Sequence, residues 1–426
     1  MDKVAAALEK VAVRRPALID LGLARVHRTL ERLGDPHRRL PPVFHVAGTN
    51  GKGSTCAYLR AILEASGAAA HVFTSPHLVN YRERVVLAGE EIADDAFIDA
   101  INRVDVAAGA DDLTLFETIT CAAFLAFAET PADYLVLEVG LGGRLDATNV
   151  IERPLAAVIT PIALDHQNFL GDTLAAIAGE KAGIFRREAP AVVGPQTPEA
   201  MAVFERRAQE TGASLFACGS AWNAWAEGGR LIYQDDEGLS DLAAPRLIGA
   251  HQFMNAGLAV AAIRASRLPF TDEILSKGLQ SARWPARLQR LKAGPLVDLA
   301  GPRSELWLDG GHNPHAARAL ASAFADLEER SSRPLILISG MQENKDADGF
   351  FAAFSGLAST VFAVQADHQG ARSPDDVAAA AERAGIPAYP CASLQEAATL
   401  ARGGGPARVL ICGSLYLAGE VLRENA

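Results

Sequence analysis

The sequence of 426 residues predicts an α/β protein of two domains. Short apolar runs alternate with helical stretches along nearly the whole chain, the pattern of a mostly parallel sheet covered on both faces. A glycine-rich loop between a strand and a helix opens the first half. The alternation resumes after about Leu291, and the length exceeds what one ordinary domain holds. The boundary is expected near Leu291–Gly294, giving domains of 1–292 and 293–426.

In the first half, Leu23, Val26, Leu30 and Leu33 recur at helical spacing, and Gly34 stands where a C-terminal cap belongs. Val43–Ala47 reads as a buried strand, Gly48–Gly53 as a loop, and Ser54–Ser66 as a helix stopped by Gly67. Tyr134–Val139 and Leu155–Thr160 read as further strands; Gly140-Leu141-Gly142-Gly143 follows the first, and Pro161 then Asp165-His166 the second. The apolar stretch around Thr118–Ala128 reads as a buried helix, too short to span a bilayer. Between Ala189 and Asp241 the pattern is irregular. Thr271 is placed to cap a helix running toward Trp284-Pro285.

In the second half, Leu306–Leu308, Pro334–Ser339, Val361–Gln365 and Val409–Cys412 read as strands. Ser373–Arg383 and Leu394–Arg402 read as helices, and Gly403-Gly404-Gly405 as an exposed turn.

Composition narrows the function classes. Hydrophobic residues make up 49% and charged residues 21%, the balance of a soluble globular chain. The net charge of -11, with no Lys/Arg-rich run, excludes a broad nucleic-acid surface but not a local pocket for anionic substrates. Five cysteines with no CxxC read as reduced thiols. The start, MDKVAAALEK, lacks the apolar core of a signal peptide. A cytoplasmic monomer without membrane or nucleic-acid partners is expected.

Gly48-Thr49-Asn50-Gly51-Lys52-Gly53-Ser54-Thr55 is a phosphate-loop pattern. Its glycines let backbone N–H groups turn toward phosphate oxygens, and Lys52 supplies a point charge. Ser54 opens a helix whose N-terminus favours anions. The usual spacing is G-x-x-x-x-G-K-[ST]; here Gly53 separates Lys52 from Ser54, which leaves open whether Ser54 or Thr55 meets the metal. With this loop the N-terminal domain reads as P-loop NTPase-like and the smaller C-terminal domain as Rossmann-like. Glu138 is expected at the carboxyl end of a strand, where α/β sites form, and a carboxylate there can hold Mg²⁺.

Further segments follow in order: Thr74–Leu78, Leu137–Asn149, Leu164-Asp165-His166, Gly179–Ile184 and Asp309–Pro314. With the phosphate loop, this series resembles the folylpolyglutamate and dihydrofolate synthases, within the Mur ligase family, over about Leu18 to Tyr416. Ile19–Leu23 is similar to the bacterial bifunctional members. The resemblance implies ATP contacts from Asn50, Gly51, Lys52, Gly53, Ser54, Asn255, Arg287 and Asp309. It implies two Mg²⁺ sites served by Ser54, Ser75, Glu138, His166 and a carbamylated Lys181. It implies a pterin pocket lined by Asp20, Leu21 and Gly22, by Phe116, Glu117 and Thr118, and by Leu145, Asp146 and Ala147. Lys52, Lys181 and His312 are the implied catalytic residues, with Asn313 beside His312. The Trp284-Pro285-Ala286-Arg287 segment departs from the family's W-P-G-R, and Gly311 stands where alanine is frequent.

The implied reaction joins L-glutamate to dihydropteroate and to the glutamate tail of folates, with ATP as co-substrate and an acyl phosphate as intermediate. Closure of two domains would keep that intermediate from water. A cell-wall ligase acting on a UDP-muramyl precursor and a P-loop kinase or NTPase are the alternatives. Without the resemblance, Lys181 reads as a solvated helix residue, Phe116 as core and Asp146 as a turn residue.

Overall fold

The computed structural model describes residues 3–12, 22–403 and 405–425. Asp20, Leu21 and Gly404 therefore lie outside the described residues. The chain divides into two compact units, Met1–Arg246 with Phe253–Arg283, and Leu247–Gln252 with Trp284–Ala426. The division precedes the expected boundary near Leu291–Gly294, because Gln289–Leu291 pairs antiparallel with Glu305–Leu308 and so belongs to the second sheet.

The larger unit is built on eight strands: β1 (Val43–Ala47), β2 (Ala70–Phe73), β3 (Val85–Leu87), β4 (Glu90–Glu91), β5 (Tyr134–Glu138), β6 (Ala156–Ile159), β7 (Pro190–Val193) and β8 (Ser214–Ala217). Their order is β4-β3-β2-β5-β1-β6-β7-β8. The six strands from β2 to β8 in that order pair in parallel, and β3 and β4 form an antiparallel edge. The chain leaves β1 for β2 on one side and, after β5, reaches β6 on the other, so β1 marks the reversal of strand order. Ligands of open α/β sheets bind beyond the carboxyl ends of the strands at such a reversal. The register sets Val46 beside Glu138 and Ala47 beside Ile159.

Every residue of β1 is buried, as the uninterrupted apolar run predicts for a strand covered on both faces. One core joins Phe73, Leu135 and Leu137 to the helices Asp94–Ala108 and Leu115–Glu129 and to Val26 and Leu30 of the helix Ala24–Arg32. Another joins Ala47, Ala157 and Ile159 to Ile177, Phe185 and Phe204. The irregular segment after Ala189 contains β7, a helix over Pro198–Thr211, β8 and an antiparallel sheet of β9 (Asn223–Glu227), β10 (Arg230–Asp235) and β11 (Gly238–Leu242).

The second unit has β12 (Gln289–Leu291), β13 (Glu305–Leu308), β14 (Leu335–Ser339), β15 (Ala358–Ala363), β16 (Ala388–Pro390) and β17 (Arg408–Cys412) in the order β12-β13-β17-β14-β15-β16. All neighbours are parallel except the edge strand β12. Asn313 and Ser373 cap the helices Pro314–Arg330 and Pro374–Arg383, each with proline in its first turn. Among the described residues no helix is long and apolar enough to cross a membrane.

The helix after the phosphate loop, Lys52–Ala65, packs against the helix Asp272–Ser281. A Cβ at Gly278 would come within 2.5 Å of Ile62 Cα, and that backbone cannot yield without displacing the phosphate-loop helix. Gly278→Ala is expected to destabilise the larger unit by about 1–3 kcal/mol. Denaturant unfolding measures this, and an unchanged midpoint would contradict the packing.

Candidate active site

The phosphate loop leaves β1 at Gly48 and enters the helix at Lys52, two residues earlier than the sequence pattern placed it. Gly51 is the N-terminal cap, with φ of 90°, and a Cβ there would also press on Asn255 Oδ1 at 2.5 Å. Glycine is thus required twice over, by backbone conformation and by contact. Asn255, on the helix Ala250–Ala265, is buried against the loop.

The loop is braced from β6. The Thr49 and Asn50 N–H groups both donate to the Pro161 carbonyl at 3.2 and 3.3 Å, and Thr49 Oγ1 donates to Ala163 O at 3.2 Å. Those two amides are committed to the protein. The first-turn amides of Lys52–Ala65, which have no intrahelical acceptor, are the donors suited to phosphate oxygens. Ser54 lies in that turn and is buried.

Lys52 and Glu138 meet across the neighbouring strands β1 and β5. Lys52 Nζ is 3.9 Å from Glu138 Oε1, and the Ser75 N–H donates to Glu138 Oε2 at 3.3 Å. Ser75 precedes Pro76 through a cis peptide bond. Glu138 is 3% exposed, so the neighbouring cation and amide offset the loss of water around its charge.

Lys181 is not a solvated helix residue. It is buried, and its Nζ donates to the Gly48 carbonyl at 2.8 Å. Burial, reinforced by the Lys52 cation, pushes its pKa down to about 7, while the Asp165 and Asp146 carboxylates oppose the shift. The close approach of the loop after β5 to the last turn of the helix Leu174–Lys181 delivers it there. Arg144 N donates to Glu180 O at 2.8 Å, and a Cβ at Gly143 would sit 2.8 Å from that same carbonyl. A Cβ at Gly183 would strike Arg144.

Arg186, which the sequence reading passed over, locks this contact. Its guanidinium donates to Ile151 O, Gly183 O and Asn149 Oδ1 at 3.0, 2.9 and 2.7 Å. Asn149 Nδ2 returns bonds to Arg144 O and Gly183 O. Its position two residues past the Gly179–Ile184 segment was the available signal.

His166 sits on the loop after β6 with φ of 52°, its side chain 42% exposed and its Nε2 3.9 Å from Asp165 Oδ1. Among the described residues no three His, Cys, Asp or Glu side chains cluster as a ready-made cation site. The donors gathered at the phosphate loop are instead one buried carboxylate, hydroxyls and a lysine. That set suits Mg²⁺, which binds through one or two carboxylates with substrate phosphates and water.

The expected pterin residues divide. Phe116 and Asp146 converge on one turn: a Cβ at Gly140 would collide with the Phe116 ring, and Leu141 N donates to Asp146 Oδ2 at 2.9 Å. Burial lifts the Asp146 carboxyl above its usual range, against hydrogen bonds from Thr148 and Leu141. Ala147 is core, and Leu145 is partly buried. Glu117 has a local task. It completes a capping box with Thr114 and accepts from Arg25 Nε at 2.8 Å. The Thr118 hydroxyl donates to Thr114 O at 3.0 Å. Gly22 is described; its partners Asp20 and Leu21 are not.

Two models of one family match the chain: the Mur ligase middle domain over residues 46–263, and the Mur ligase glutamate ligase domain over residues 296–415. The chain belongs to the Mur ligase family. A dihydrofolate synthase/folylpolyglutamate synthase of Escherichia coli (strain K12) is 41% identical over 336 residues, covering 78% of this chain and 75% of that protein. A structure of E. coli FolC in complex with DHPP and ADP superposes with a TM-score of 0.89 at 34% identity, covering 99% and 97%. A bifunctional folylpolyglutamate synthase/dihydrofolate synthase with Mn, AMPPNP and L-glutamate bound gives 0.86 at 34% identity, covering 99% and 97%. This Mur ligase is an ATP-dependent amide ligase of the dihydrofolate synthase/folylpolyglutamate synthase group, and that reading prevails over the cell-wall ligase and the kinase.

In the ligase's second unit, the expected residues gather at the carboxyl end of β13. Asp309 is buried and braces two loops, accepting from Leu288 N at 2.8 Å and from Gly311 N at 2.7 Å. Arg287 Nη1 donates to Ala286 O at 2.8 Å. His312 Nδ1 lies 2.9 Å from Gly310 O, which makes Nδ1 the donor of that pair. Asn313 accepts from Ala316 N at 2.9 Å as a helix cap. Gly311 is close-packed, with Asp309 Oδ1 3.0 Å from the position a Cβ would take.

Ala286, where the family pattern has glycine, adopts φ of 52°. A side chain pays a steric cost in that left-handed region. Ala286→Gly should therefore stabilise the second unit by up to about 1 kcal/mol after glycine's larger unfolded-state entropy is subtracted. Thermal unfolding reads the shift, and a lower melting temperature would show that the buried methyl outweighs the strain.

Proposed function

We propose that this ligase joins L-glutamate to dihydropteroate, and to the glutamate tail of folates, by way of an acyl phosphate. The observation that carries the reading is the meeting of Lys52 with Glu138 at the reversal of strand order, with Lys181 bonded to the same loop. The names of the relatives supply the substrates: they include a dihydrofolate synthase/folylpolyglutamate synthase, and solved relatives bind DHPP with ADP, or AMPPNP with L-glutamate.

A carboxylate is a poor electrophile, so an amide forms from it in water only after activation. The first-turn amides and Lys52 would hold the β- and γ-phosphates of ATP in line with the acceptor carboxylate. Asn255 would fix the loop at Gly51. As the γ-phosphoryl group moves to the carboxylate oxygen, the bond to the β-phosphate oxygen breaks and ADP leaves. Lys52, held near Glu138, neutralises charge developing on the transferring oxygens. The glutamate amine then attacks the acyl carbon, and the tetrahedral intermediate expels phosphate. His312 is our candidate to handle the amine proton.

Ser54, Ser75 and Glu138 are proposed to hold one Mg²⁺, and His166 with a carbamylated Lys181 a second. The metal's contribution is to neutralise phosphate charge. Burial favours the neutral amine that carbamylation requires. With its pKa near 7, Lys181 supplies a neutral amine whose lone pair adds to CO₂, forming the N–C bond and releasing one proton. The carbamate keeps one N–H, enough to preserve the bond to Gly48 O.

Phosphate release from ATP should require glutamate together with dihydropteroate or, tested separately, tetrahydrofolate. Release with only one acceptor would remove the other half of the proposal, and release with a UDP-muramyl precursor instead would replace it. Lys181→Ala should lose on the order of 10²-fold or more in kcat, with partial rescue by added short carboxylates. Normal turnover in that variant would rule the carbamate out.

A further inference from the structure

His45 stands at the centre of β1, three residues before Gly48, and is almost wholly buried. A histidine inside a sheet covered on both faces must find a hydrogen-bond partner. Its Nε2 lies 2.9 Å from Thr148 Oγ1. Thr148 in turn reaches Asp146 Oδ1 twice, through its hydroxyl at 2.5 Å and its N–H at 3.0 Å. Leu141 N occupies the other carboxylate oxygen at 2.9 Å.

The chemistry of the three groups sets the direction of the chain. Asp146 Oδ1 already accepts the Thr148 N–H and Oδ2 the Leu141 N–H, so the carboxylate is the acceptor and the Thr148 hydroxyl spends its single hydrogen on it. The hydroxyl oxygen must then accept from His45, which places the imidazole hydrogen on Nε2. Burial, with the Arg186 cation nearby, pushes the His45 pKa down to about 3, so the ring stays neutral in this role. The Asp146 carboxylate cannot turn about its Cβ–Cγ bond without breaking bonds to both oxygens.

We propose that His45 and Thr148 are positioning residues, which aim the Asp146 carboxylate at the acceptor and tie it to the strand that carries the phosphate loop. This rests on the reading that Asp146 lines the acceptor pocket. The ligand it implies is an aromatic heterocycle with N–H donors, lying where Phe116 and the Gly140-Leu141 turn meet. One strand thereby sets both the nucleotide loop and the anchor of the acceptor.

Thr148→Val keeps the shape and removes the hydroxyl. It is expected to raise KM for dihydropteroate roughly tenfold while KM for ATP and kcat at saturating acceptor change by no more than about twofold. Thr148→Ser, which restores the hydroxyl, should recover the acceptor KM. His45→Leu should raise it and His45→Gln, which retains an N–H donor, should raise it less. A wild-type acceptor KM in Thr148→Val, or a rise that Thr148→Ser does not reverse, overturns the proposal. If Thr148→Val fails to fold by thermal melting, equal acceptor KM values in the two His45 variants overturn it instead. Asp146→Ala separates this from the underlying reading: an unchanged acceptor KM there refutes the pocket, whereas a raised one beside an unaffected Thr148→Val refutes only the positioning chain.

Discussion

The site depends on one constraint, that β1 and β5 are parallel neighbours ending side by side. Val46 pairs with Glu138, so the strand that launches the phosphate loop ends beside a buried carboxylate. A carboxylate so placed is costly unless cations and donors surround it. Lys52 and the Ser75 amide answer that requirement, and in doing so they gather the loop after β1, the loop after β2 and the end of β5 at one point. Insertion of β5 between β1 and β2 is what makes the meeting possible.

Around this point the protein spends backbone groups on rigidity. The Pro161 carbonyl holds Thr49 and Asn50, and the Gly48 carbonyl receives Lys181. Gly143 and Gly183 allow the two motif segments to touch at backbone distance, and Arg186 seals them. A phosphate loop that is already shaped loses less freedom on binding nucleotide, which leaves more of the binding energy for the transferring group. The second unit repeats the strategy with Asp309, whose two oxygens hold the Leu288 and Gly311 amides.

Much of this was legible in the sequence, for local reasons. Apolar runs located β1, β5, β6 and, in the second sheet, β13, β14, β15 and β17, because a strand buried on both faces tolerates no polar alternation. A capping residue announced the helix at Thr271. Less legible were the contacts of Glu117 and those of Lys181, which looks solvated by residue type alone. Glu117 is engaged by Thr114 and Arg25, Lys181 by Gly48, and the Arg25 and Gly48 partners lie far away along the chain. The compact units divide ahead of the boundary expected near Leu291–Gly294, since Gln289–Leu291 is a short edge strand whose membership only its partner reveals.

By itself the sequence determined the alternating architecture, the phosphate loop and the family's order of motifs, since each is written in contiguous residues whose conformations are locally dictated. Only the tertiary structure decided that Lys52 faces Glu138, that Lys181 is buried on the loop, and that His45 reaches Asp146 through Thr148. The physical reason is strand order: which carboxyl ends become neighbours follows from how crossovers pack on the sheet, a property that no single segment carries.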